Sequence, residues 1–327
     1  MSAKVQERPK VVSAFDDLTA AERTEIARFV TPFTAGTGTV LFRQDTPEDR
    51  MYLLTKGLVE QVTNLPDGSN SVPLTSGAGE SLGESVPGDS PGYLATAKVV
   101  EDAAGFAINV ERFRELRRRY SPIAFKVLYR LALGLCTAVR NLDAEIAARP
   151  ARRPGTPVEQ APGLAGRVHA LSQGCVGFLR RMPFFEAFED TELDALCKSM
   201  RQWDVSKDQL LFTEGEPSAS CFILIKGQVG VTVERHGHIV TLADLGPGRI
   251  FGEISLLDQG ARSATCRVLK DCELLEIGAG EFTRLFNDGS KASFKLLEAV
   301  HWNLLGVQRA LLAERTGLQR DGVWVLV

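Results

Sequence analysis

Phe251-Gly252-Glu253-Ile254-Ser255-Leu256-Leu257 and, close behind, Arg262-Ser263-Ala264-Thr265 hold the residues best suited to chemistry. A carboxylate and a guanidinium stand nine residues apart, with a glycine beside the acid and a small hydroxyl after the base. Glu253 can accept a hydrogen bond from a sugar hydroxyl. Arg262 offers a planar fork of donors that matches phosphate oxygens and stays charged at any physiological pH. Gly252 lets backbone approach a ligand with no Cβ in the way. The run from Glu253 to Leu257 is expected to form one helical turn with its free amides toward an anion, and Ser263 to add a donor. Together these groups suit a small ligand that carries one phosphodiester and a free ribose hydroxyl. The plainer reading is a surface ion pair between Glu253 and Arg262, an arrangement that is common and weak.

The elements that must position these residues are written twice. A shift of 170 positions lays Phe15 on Phe185, Leu41-Phe42 on Leu211-Phe212, Pro47 on Pro217, Tyr52 on Phe222, Lys56-Gly57 on Lys226-Gly227 and Val59 on Val229. After a one-residue slip to 169, Gly77 and Gly79 meet Gly246 and Gly248, Gly83-Glu84 meets Gly252-Glu253, and Phe113 meets Phe282. Two copies of one fold are therefore expected. Each opens on a short helix, with Thr19 and Glu22 set as a capping box ahead of Ile26 in the first copy. Short β-branched and aromatic runs follow, such as Cys221 to Val233 and His238 to Leu245, broken by Gly, Asp and Pro; they read as strands of a small roll or sandwich. An amphipathic helix closes each copy, with Leu128, Leu131, Leu135, Ala138 and Leu142 matched by Leu297, Val300, Leu304, Val307 and Leu311. The proline-rich stretch 148–162 reads as a linker, and Val168 to Met182 as a helix leading into the second copy.

Bulk properties narrow the class. With 327 residues, two domains are the natural prior. A net charge of −3 gives no basic field to hold nucleic acid or an anionic membrane, so neither is an expected partner. The six cysteines show no metal-ligand spacing, and four of them sit in apolar-periodic stretches as reduced, buried thiols. No apolar signal core opens the chain, and no run approaches the ~18 apolar residues of a membrane span. The expected location is the cytoplasm.

The segment from Phe251 to Thr265 resembles the phosphate-binding cassette of the cyclic-nucleotide-binding domain family, shared by catabolite activator protein and protein kinase A regulatory subunits. The family's Phe-Gly-Glu-Leu-Ala-Leu, followed by Arg-Ala/Ser-Ala/Thr, is matched at Phe251, Gly252, Glu253, Leu256, Arg262, Ser263, Ala264 and Thr265, with departures at Ile254 and Ser255. Upstream, Leu211-Phe212 through Gly215-Glu216 and Phe222 through Gly227 resemble the family's first strands and turn. The resemblance implies a mainly β fold with flanking helices: two tandem jelly-roll-like β-rolls, each closed by a C-terminal amphipathic helix. The expected boundaries are a degenerate domain at 12–147, a linker at 148–162, a binding domain at 163–316 and a tail at 317–327. It implies that Glu253 holds the ribose and Arg262 the phosphate, with Ile250, Phe251, Gly252, Ile254, Ser255, Ser263 and Ala264 lining the site. Trp302, Asn303 and Gln308 on the closing helix are candidates for contact with the base. Serine after the arginine leans toward cAMP over cGMP. The implied protein is a receptor and not an enzyme. It needs no cofactor or metal, and signals by moving its last helix against a protein partner or a second copy. A ligand-independent scaffold of two rolls is the alternative. So little chain follows the last helix that no helix-turn-helix is expected, and so little precedes the first roll that a kinase-docking segment is not expected either.

The first copy lacks the anchor. Nine residues after Glu84 stands Tyr93, and a phenol cannot neutralise a phosphate; losing a charge-assisted bond costs roughly 1.5–3 kcal/mol. That roll reads as a structural or docking module. Other features have plainer readings: Gly246, Gly248 and Gly252 as turn glycines, and His236-Gly237-His238 as a polar hairpin tip. Arg118-Arg119-Tyr120-Ser121, which looks like a basophilic kinase site, reads as a charged turn, and the terminal Val323-Trp324-Val325-Leu326-Val327 as packing on its own domain.

Overall fold

The computed structural model describes residues 15, 18–64, 74–83, 92–93, 95–147, 166–169, 174–235 and 238–316. The chain falls into two compact units that divide between Gly134 and Leu135. That division lies inside the helix that closes the first sequence repeat, earlier than the repeat's own end at 147. The expected linker at 148–162 and tail at 317–327 lie outside the described residues, as do Glu84, His236 and Gly237.

The first unit opens on α1 (Ala20–Ile26), whose Thr19–Glu22 capping box forms as expected. Its strands are β1 (Val30–Ala35), β2 (Val40–Phe42), β3 (Arg50–Val62), β4 (Leu74–Ser76), β5 (Ser81–Leu82) and β6 (Thr96–Asn109). They form an antiparallel sheet in the order β1-β6-β3-β4, with β2 on β6 and β5 on β3. α2 (Val110–Arg118) and α3 (Pro122–Ala147) follow.

In the second unit come β7 (Arg167–His169), α4 (Cys175–Leu179), α5 (Asp190–Lys198), β8 (Met200–Val205), β9 (Leu210–Phe212), β10 (Ser220–Arg235), β11 (His238–Leu245) and β12 (Ile250–Phe251). The single turn α6 (Ile254–Leu257), β13 (Thr265–Gly278), α7 (Ala279–Asn287) and the closing helix α8 (Lys291–Thr316) complete it. The sheet order is β11-β10-β13-β8-β7, with β12 on β10 and β9 on β13.

The sequence repeat is a structural repeat. Val59 faces Val99 in the first sheet and Val229 faces Val268 in the second, the same register at the same offsets. Both long strands break register around a Lys-Gly pair, at Gly57 and Gly227, whose φ values are +87° and +99°. A Cβ at Gly227 would run into Asp271 O and lie 2.9 Å from Cys272 Cα, so glycine is required there for space as well as for its backbone angle. The cores correspond too: Phe42, Tyr52, Leu54 and Val59 pack together as Phe212, Phe222, Leu224 and Val229 do.

Two expectations need correction, and the two cysteines beyond the four expected thiols are found paired. Val168 is not helical; it pairs with Trp203 in the edge strand β7, and among the described residues of 168–182 helix is confined to Cys175–Leu179. This β-branched residue satisfies its backbone on a neighbouring strand, which local periodicity does not reveal. Cys175 and Cys197 form a disulfide joining α4 to α5, their Cα atoms 6.4 Å apart, while Cys136, Cys221, Cys266 and Cys272 are buried thiols. Burial raises the pKa of those four, which keeps them inert. Finally, α3 over Pro122–Glu145 is long and apolar enough to cross a bilayer by length and composition, with a mean hydropathy of 1.5. Ile123, Leu128, Leu131, Leu135 and Leu142 on it are nonetheless buried within the protein, as in a core helix.

Substitution at the register break separates steric from conformational demand. Gly227→Ala is expected to lower unfolding stability by about 3 kcal/mol or more, combining αL strain with a backbone clash. Gly248→Ala, at φ +88° with nothing within 4 Å, should lose only about 1 kcal/mol. Urea unfolding of the two variants checks this, and equal losses would contradict the steric account.

Candidate functional site

The second unit encloses a cavity of about 350 Å³, within the range of small-molecule sites. Ile250 to Ser255 and Arg262 to Ala264, the residues singled out from sequence, all line it. Two chain segments bring them together. β12 pairs with β10 and delivers Gly252 and Glu253 to the start of α6, whose first turn closes with Leu256 and Leu257 amides donating to the Glu253 carbonyl. The second segment is pinned by a turn: Gly215 N–H donates to Arg262 O at 3.0 Å, and Arg262 N–H donates to Glu216 O at 2.9 Å.

The Arg262 side chain points inward and is only 4% exposed. Its Nη1 donates to Gly252 O at 2.8 Å and to Ser255 Oγ at 3.2 Å, and its guanidinium carbon lies 4.0 Å over the Phe212 ring. Buried Nε has no hydrogen-bond partner. The space left open by Gly252 is taken by this guanidinium, since a Cβ there would sit 2.7 Å from Nη1. Glycine at 252, with φ +80°, thus makes room for the arginine. Glu253 does not pair with Arg262. Its Oε1 accepts from Asn303 Nδ2 at 2.8 Å, and the same amide donates to Ile250 O at 3.0 Å. The simple ion-pair reading therefore falls.

The first unit repeats this backbone turn with Tyr93 at the position of Arg262. Asp45 N–H donates to Tyr93 O at 2.8 Å and Tyr93 N–H to Thr46 O at 3.0 Å, the bonds that pin Arg262. Where the guanidinium lies over Phe212, the Tyr93 ring stacks on Phe42 with centroids 4.1 Å apart. The phenol oxygen lies 2.6 Å from Arg50 O and 2.9 Å from Asp49 Oδ1, and accepts from Arg50 N–H at 3.0 Å. Burial raises its pKa, so it stays a neutral phenol. An aromatic core contact fills the place of a cation.

Of the three closing-helix candidates, only Asn303 lines the cavity, and it is engaged with Glu253. Trp302 packs edge-on against Phe184, and Gln308 is half-buried off the cavity. α8 instead presents Gly306, Val307 and Leu311. Sequence reasoning missed these, along with Phe212 and two residues of α3, Val139 and Asp143. Aromatic Phe212, at the register position of Phe42, carried a signal in the repeat; the α3 residues carried none.

In the second unit a one-turn helix and an inward guanidinium stand at the wall of a cavity. The chain belongs to the cyclic nucleotide-binding domain family, whose sequence model matches residues 33–120 and 202–288, more than half of its length. It is 31% identical over 138 residues to the cyclic AMP receptor protein of Thermus thermophilus, covering 42% of this chain and 58% of that protein. An uncharacterized NTE family protein of Mycobacterium tuberculosis is 32% identical over 105 residues, which is 32% of this chain and 18% of that one. The chain thus spans less than two thirds of either relative. Among solved structures, the regulatory domain of Toxoplasma gondii PKA in co-crystals with cAMP aligns over 84% of this chain and 88% of that one, at 15% identity and a TM-score of 0.33.

Burial pushes the Glu253 carboxyl up to about 7, against backbone and Asn303 hydrogen bonds and the attraction of Arg262, which lower it. The folded protein therefore holds this proton more tightly than the unfolded chain does. The resulting stabilisation is complete below the ordinary carboxylate pKa of about 4.5 and is lost as pH rises through about 7. Glu253→Gln removes the titration while keeping an acceptor for Asn303. Its melting temperature should gain on wild type between pH 5 and pH 8, by the equivalent of about 2–3 kcal/mol. A difference that does not change with pH would contradict the buried-acid account.

Proposed function

We propose that the protein is a cyclic-nucleotide receptor which binds its ligand in the second β-roll, cAMP in preference to cGMP. The carrying observation is the buried Arg262 fork, held over Phe212 at the wall of an open cavity beside Glu253. A phosphodiester entering there replaces the hydrogen bonds to Gly252 O and Ser255 Oγ with charge-assisted ones and reaches the unpartnered Nε. The ribose hydroxyl donates to Glu253. Ser263 in the cavity wall, and the relative named for cyclic AMP, support adenine as the base.

Signal output follows from the same contacts. Asn303 ties α8 to Glu253, so a hydroxyl arriving at that carboxylate competes with or reorients the tie and shifts the position of α8. In this reading a protein partner, or a second copy of the chain, senses the helix, and the protein works in the cytoplasm without catalysis. The Tyr93–Phe42 stack favours a structural or docking role for the first roll.

Isothermal titration with cAMP tests the proposal. Wild type should release saturable heat, and Arg262→Ala should bind roughly tenfold to a hundredfold more weakly. No heat at millimolar ligand, with wild type and variant alike, would overturn it.

A further inference from the structure

The segment that carries Arg262 into the cavity is held at two places. Downstream, the Gly215–Glu216 turn bonds the Arg262 backbone, and Pro217 bridges to Ala261. Upstream, residues 258–260 leave α6 and belong to no helix or strand. Gln259 there has φ +54°, a left-handed angle unfavourable for a residue with a side chain. Such a conformation persists only where its surroundings hold it.

Arg140 supplies that hold. It stands on α3, beside Val139 of the cavity wall, and belongs to the same compact unit as the segment it grips. Its Nε donates to Asp258 Oδ2 at 2.7 Å and its Nη2 to Asp258 Oδ1 at 3.0 Å. Nη2 also donates to Ala261 O at 2.9 Å. One guanidinium therefore ties the first residue of the excursion to the residue just before Arg262. Asp258 Oδ1 accepts from Gly260 N–H at 2.9 Å as well, which closes the turn from within. A Cβ at Gly260 would lie 2.9 Å from Arg140 Nη2 and 3.0 Å from Asp258 Oδ1. A glycine thus makes room for this arginine, as Gly252 does for Arg262. With side chains 29% and 21% exposed, Arg140 and Asp258 form a partly buried bidentate pair, the stronger kind of ion pair.

We propose that Arg140 is a positioning residue for the nucleotide phosphate, setting the 258–261 turn and through it the reach of Arg262. This rests on the reading of the cavity as a cyclic-nucleotide site. Without the clamp Gln259 relaxes, Ala261 shifts, and the guanidinium that follows is no longer aimed by its supporting shell.

Titrating the full chain with cAMP in a cycle of Arg140→Ala and Arg262→Ala tests the assignment. Arg140→Ala alone should bind about tenfold more weakly than wild type. Added to Arg262→Ala it should cost nothing further, because it acts through the residue already removed. Asp258→Asn, which keeps the side chain's shape and removes its charge, should weaken cAMP about threefold, again only while Arg262 is present. That second cycle decides the matter if Arg140→Ala fails to fold. A wild type that binds cAMP no better than either clamp variant overturns the assignment and leaves the receptor reading standing. So does the same loss in both backgrounds, the mark of a general effect on the fold or the field. A wild type that binds no cAMP overturns both.

Discussion

A guanidinium buried against a phenylalanine ring, without a carboxylate at ion-pair distance, is the constraint on which the second unit is built. Taking such a charge out of water is expensive unless its donors are met. Arg262 meets the cost in part through Gly252 O, Ser255 Oγ and the face of Phe212. Several other features follow from that. Gly252 must lack a side chain because the guanidinium occupies its Cβ space. The turn at Glu214 to Pro217 must hold the Arg262 backbone, with Thr265 Oγ1 accepting from Glu214 N–H to fix the turn in place. Asn303 must take up Glu253, because two buried ionisable groups without an ion pair between them each need a neutral partner.

Comparison of the two rolls isolates what that cation adds. The first unit keeps the strand register, the Lys-Gly bulge, the turn and even the threonine, where Thr96 Oγ1 accepts from Gln44 N–H as Thr265 does from Glu214. Exchange of arginine for Tyr93 converts a charged, incompletely satisfied position into a stacked, fully bonded one. A frame that tolerates both residues shows that the fold does not need the cation.

Much of this was legible in the sequence because the repeat and the cassette are both local. Offsets of 170 and 169 predict that Val59 and Val229 sit alike, and the strands pair them alike. Residues 250–255 and 262–264 are close in sequence and meet around one cavity. What was illegible depends on long-range partners. Val168 joins a strand only because Trp203 offers an edge, and Cys175 meets Cys197 only because α4 and α5 pack together. The Asn303 amide faces Glu253, a long-range partner that no periodicity on α8 reveals. Val139 and Asp143 belong by sequence to the first copy's closing helix, outside its apolar stripe, and only the packing of α3 places them in the second unit's cavity.

The central claim is that a single cyclised phosphate docks on Arg262, and the phosphorus nucleus reports on that contact directly. In a ³¹P NMR spectrum of cAMP with the full chain, the account predicts a second, shifted and broadened resonance that Arg262→Ala abolishes while leaving the fold intact. One sharp resonance at the free position, unchanged by excess wild-type protein, would contradict it.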